Sequence, residues 1–80
     1  MSFAISWTTS LSRVERRRLR CWLDRFPGLV ERRRGAIVVH HGDPEVAHSF
    51  GALTMVVIGR DPLAYGLVAA PEWPEARMAA

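Results

Sequence analysis

The stretch LVERRRGAIVVHH, residues 29–41, decides the architecture. At its centre Arg34-Gly35 reads as a tight turn, because glycine accepts the positive φ that such turns need. Residues 29–33 then form one strand and residues 36–41 its hairpin partner. The second run is apolar on both faces until its two histidines, the pattern of a strand with neighbours on either side. It belongs in the middle of a sheet, so further strands must come from the flanking sequence.

On the N-terminal side, Phe3, Ile5 and Trp7 alternate with Ala4 and Ser6, which is the period of a half-buried strand. Ser12 and Glu15 have the S-x-x-E spacing of a capping box, which satisfies orphan amides at a helix start. The helix they open runs to about Phe26, where Pro27-Gly28 stops it. Stepped at 100° per residue, Leu11, Val14, Leu19, Trp22, Leu23 and Phe26 share an inward arc. Glu15 shares it too, its carboxylate turning back to the cap. Arg13, Arg16, Arg17 and Arg20 form the opposite face.

On the C-terminal side, Gly42 breaks the strand and Asp43-Pro44-Glu45 opens a short helix. Asp supplies the N-cap, Pro the first helical position, and Glu a charge beside the positive end of the dipole. Phe50-Gly51 reads as its end. Residues 53–58 read as a strand, Gly59-Arg60-Asp61-Pro62 as a turn, and residues 63–69 as a last strand antiparallel to the one before. The fold class is therefore α+β: a small antiparallel sheet with two helices on one face. Its first six elements follow the split βαβ, or ferredoxin-like, order, with an extra C-terminal strand. Residues 1–70 make a single domain. Residues 71–80, PEWPEARMAA, form a proline-containing tail in which Trp73 either pins the tail down or anchors a partner.

Charge is distributed very unevenly. All eleven basic residues are arginine, and nine of them lie between Arg13 and Arg34 beside only Glu15, Asp24 and Glu31, which leaves that segment at +6. From Gly35 onward two arginines meet five acids, for −3, so the total of +3 hides a polarised molecule. A GC-rich genome explains arginine in place of lysine but not the clustering. On the helix, Arg13–Arg16, Arg13–Arg17, Arg16–Arg20 and Arg17–Arg20 are like-charge neighbours. Each such pair costs roughly 0.2–0.5 kcal/mol at low salt, a cost that an anionic partner would relieve.

Other chemistry is thin. The basic-Gly start of the third element, Arg34-Gly35, matches how the RNA-recognition motif begins its signature there. That motif then stacks bases on aromatics, whereas Ala36 and Val38 stand in those places here. His41, Asp43 and His48 are the residue types for a metal site, but their spacing matches no known zinc pattern, and His40 points to the other face of the strand from His41. Cys21 flanks several arginines at the edge of the inward arc and reads as a buried structural residue. Ser10, Ser12 and Ser49 have no elbow or triad around them. No cofactor is expected.

A lone cysteine excludes an intramolecular disulfide and fits a reducing, cytoplasmic setting. No apolar run approaches a membrane span, and no basic residue precedes the short apolar stretch at the N-terminus as a secretory signal would require. A domain this small gains from a partner subunit, so a homodimer is one expected form.

The expected function is binding without catalysis. Arg13, Arg16, Arg17, Arg20, Arg32, Arg33 and Arg34 would engage nucleic acid or a nucleoprotein. The alternative is an inhibitor or adaptor of the phage or mobile-element kind, anti-CRISPR-like in style, that occludes an acidic site on a protein. A histidine-based metal-binding module is the third reading.

Overall fold

The computed structural model describes residues 2–7 and 9–69. Six elements follow one another: β1 (Phe3–Ser6), α1 (Arg13–Leu23), β2 (Val30–Arg33), β3 (Ala36–Val39), α2 (Pro44–Ile58) and β4 (Gly66–Ala69). The sheet order is β2-β3-β1-β4, and every neighbouring pair is antiparallel. This is the split βαβ topology. The apolar hairpin partner β3 is interior, between β2 and β1, as its sequence requires.

Register sets the buried face. Ile5 pairs with Ile37, and Val39 with Phe3 on one side and Val30 on the other. Ile5, Ile37 and Val39 join Leu19 and Leu23 of α1 and Phe50, Met55 and Ile58 of α2 in one core. Aromatic rings close the seam between the helices. Trp22 stacks on Phe50 at 5.7 Å and meets Phe26 edge-on at 4.8 Å. Its indole N–H donates to Thr54 Oγ1 at 3.0 Å, and that hydroxyl donates to the Phe50 carbonyl at 2.7 Å. Full burial of Thr54 is thereby satisfied.

Among the described residues the extra C-terminal strand is absent, and the sheet has four strands instead of five. Residues 53–58 continue α2, which ends at Gly59 in a left-handed C-cap with φ of 94°. The last strand, β4, pairs with β1 and is the fourth strand of the sheet. Gly51 was misleading because it serves packing: a Cβ there would sit 2.7 Å from the Tyr65 ring. Val14 also departs from expectation, being 53% exposed. It lies well off the line through Leu19 and Leu23 on the helix. The neighbouring inward position, Glu15, is met by an arginine instead of the core. Trp7 and Trp22 pack against the core as expected, while Trp73 and the tail lie outside the described residues.

Candidate anion-binding face

The capping box forms as its spacing demands. Glu15 N–H donates to Ser12 Oγ at 3.1 Å, and Ser12 N–H donates to Glu15 Oε1 at 2.8 Å. The same carboxylate accepts two bonds from Arg60, at 2.8 Å from Nε and 3.1 Å from Nη2. Arg60 also donates to the Ser10 carbonyl at 3.0 Å and to Thr9 Oγ1 at 2.9 Å. The Arg60 hydrogen bonds, with help from the Ser12 amide, pull the Glu15 carboxyl from its ordinary 4.5 down to about 2. One guanidinium from the segment after α2 therefore clamps the start of α1 and the segment leading into it. Composition and spacing marked Gly59-Arg60-Asp61-Pro62 only as a turn. The one available signal was Glu15 itself, a charge on an otherwise apolar arc.

With the inward side of α1 held, the opposite face of the helix turns to solvent. Arg13, Arg16, Arg17 and Arg20 are all exposed. Period-2 alternation does the rest on β2. Arg32 pairs with Ile37, a core residue, so it emerges on the helix side of the edge strand. Arg13, Arg16, Arg17, Arg20 and Arg32 consequently line one groove of about 400 Å³ between α1 and β2. A second groove of about 520 Å³ shares Arg16 and Arg32 and extends to Arg33 and Arg34 at the hairpin tip, over Trp7 and Leu11. Helix face and hairpin tip, separated in sequence, form one continuous basic surface.

Among the described residues, most of these charges have no carboxylate partner. Among the described residues the arginine–carboxylate ion pairs are Arg33–Glu31 at 2.8 Å and Arg60–Glu15 at 2.8 Å. Arg33 is thus the expected site residue whose charge is already matched. Glu31 also meets His40 at 3.0 Å, and the His40 and Arg33 bonds hold its carboxyl below the usual range. Arg13, Arg16, Arg17, Arg20, Arg32 and Arg34 have no carboxylate within 4.0 Å among the described residues. Arg18 turns to the other side of α1 and donates to the Ile58 carbonyl at 3.4 Å, at the C-terminal end of α2. Cys21 is exposed there, not buried, beside Arg18 and Arg25.

His41, Asp43 and His48 are not assembled into a ligand set. His41 Nδ1 accepts the Asp43 N–H at 3.0 Å, and Asp43 caps α2 through the Glu45 amide at 2.9 Å. His48 Nδ1 lies 3.0 Å from the Tyr65 hydroxyl, which donates to the His48 carbonyl at 2.9 Å. No group of three or more His, Cys, Asp or Glu side chains is placed to hold a metal ion among the described residues. No described helix is long and apolar enough to cross a membrane.

Comparison with protein-family models, curated proteins and solved structures returned no match to the chain.

Proposed function

We propose that this protein is a non-enzymatic binder of nucleic acid, working through the groove between α1 and the β2–β3 hairpin. One observation carries the reading. Arginines from α1 and from β2, twelve or more positions apart in sequence, converge on one surface with no carboxylate within 4.0 Å of them among the described residues. Guanidinium groups suit phosphate oxygens because their planar fork donates two parallel hydrogen bonds. A row of phosphates is the partner that relieves several adjacent like charges at once. The sheet carries no exposed aromatic ladder for stacking bases, so contacts to the backbone dominate and sequence preference is slight.

A labelled duplex oligonucleotide followed by fluorescence anisotropy tests this. Wild-type protein should bind at low salt, and the double variant Arg17→Glu, Arg32→Glu should lose at least tenfold in affinity while keeping its circular dichroism spectrum. Unchanged affinity in that variant would remove the groove from the site.

A second reading rests on Trp7 and Leu11 in the floor of the tip groove, between Arg16 and Arg34. An apolar floor rimmed by arginine also resembles the centre of a protein interface. An inhibitor or adaptor docking on an acidic protein would use the tip more than the helix face. Trp7→Ala would then abolish binding more completely than Arg17→Glu.

A further inference from the structure

We infer that the outer face of α2 is a self-association surface, on which a second copy of this chain packs its own α2 in the antiparallel direction. The two helices of this domain treat solvent differently. The outer side of α1 is arginine. From Val46 to Gly59, α2 has no Asp, Glu, Lys or Arg. It nevertheless leaves Val46 37%, Leu53 53% and Val56 54% exposed. A helix that is apolar all round is normally covered all round.

The exposed side has the pattern of a helix seam. Val46, Ser49, Leu53 and Val56 follow one another at spacings of three, four and three, as the a and d positions of a heptad do. Val46, Ser49, Phe50 and Leu53, spaced i, i+3, i+4 and i+7, line an open dent on the surface. Four residues so spaced make the hole that receives a knob from a facing helix. The row is also symmetric about its own midpoint. Turned end for end against a copy of itself, it sets Val46 against Val56 and Ser49 against Leu53, so Leu53 is the knob for the partner's dent. That is the self-complementarity a two-fold interface requires.

Charge favours a second copy over an unrelated apolar surface. Asp43 and Glu45 stand at the start of α2. Arg18 stands at its end, with its guanidinium on the Ile58 carbonyl. Antiparallel packing brings the acidic start of each helix to the basic end of the other. A helix of this length spans roughly 22 Å, so the contact is small and belongs to the weak, reversible class of interfaces.

Sedimentation equilibrium of the full chain, from about 1 μM to about 1 mM, reads the association directly. Average mass should rise from the 9.0 kDa of one chain towards twice that value. Leu53→Glu should stay monomeric throughout with an unchanged circular dichroism spectrum. In a Cys21→Ser background, mixing Val46→Cys with Val56→Cys chains under oxidation should link the two variants to each other, while neither links to itself. A monomeric wild type at the highest concentration overturns the inference. So does a dimer that survives Leu53→Glu, self-linking without cross-linking, or a monomer that uses Leu53 to coat lipid vesicles. Nucleic acid takes no part in these readouts, so they stand apart from the anion-binding proposal.

Discussion

Glu15 shows how one side chain ties local structure to the site. Spacing alone assigned it to the helix cap, and the cap is there. Arg60 was beyond that reading, because nothing local announces a partner 45 positions away. The consequence is a pH dependence whose sign is set by the direction of the shift. A carboxyl depressed from 4.5 to about 2 on folding releases its proton more readily in the native state. Its contribution to stability is complete above pH 4.5 and drains away as pH falls towards 2. Glu31, also lowered by its His40 and Arg33 contacts, acts in the same direction. Urea unfolding at a series of pH values should therefore show Glu15→Gln converging on wild type as the solution is acidified through that window. A constant gap between the two proteins down to pH 2 would mean that the Arg60 clamp contributes nothing.

At the scale of elements, α1 was legible along most of its length, and α2 only at its start, where Asp43-Pro44-Glu45 opens the helix as those residues announce. The arginine helix carries a capping box and an inward apolar arc that agree, although Val14 falls off that arc and the helix ends at Leu23, three residues before the Phe26 at which Pro27-Gly28 placed its stop. In α2 the local signals conflict. Gly51 looks like a terminator, and Thr54, Val56, Val57 and Ile58 have the β-branched composition of a strand. Tertiary packing overrides both. Thr54, Met55 and Ile58 are fully buried at helical spacing, and Gly51 makes room for the Tyr65 ring. Gly51→Ala separates the two explanations. In an exposed helix interior alanine would gain about 1 kcal/mol over glycine. Here the added methyl group meets Tyr65 at 2.7 Å, and overpacking of this kind costs about 1–3 kcal/mol. Differential scanning calorimetry should find a lower Tm for the variant, whereas a higher one would show that Tyr65 moves aside freely.

On the scale of the whole molecule, the candidate site was half visible. Nine arginines within 22 positions declared a cationic segment, and period 3.6 sorted four of them onto one helix face. What no periodicity could supply was the adjacency of that face to Arg32. It follows from the topology, in which β2 is the edge strand on the same side as α1, and from the register that pairs Arg32 with Ile37. The same topology separates Arg18 and Arg25 from the groove, and register leaves Arg33 bound to Glu31. Charge density was a property of the sequence; the shared surface is a property of the fold. Salt dependence measures that shared surface, since each neutralised phosphate releases counterions.

The most direct test is the affinity for a duplex oligonucleotide as salt is raised. If Arg13, Arg16, Arg17, Arg20, Arg32 and Arg34 each neutralise one phosphate, log K should fall against log salt with a slope of about −5.4, near −0.9 for each phosphate contacted. Replacing Arg17 and Arg32 together by alanine should flatten that slope by almost 2. A slope near zero, or one that the double replacement leaves unchanged, would contradict the groove as a phosphate-binding surface.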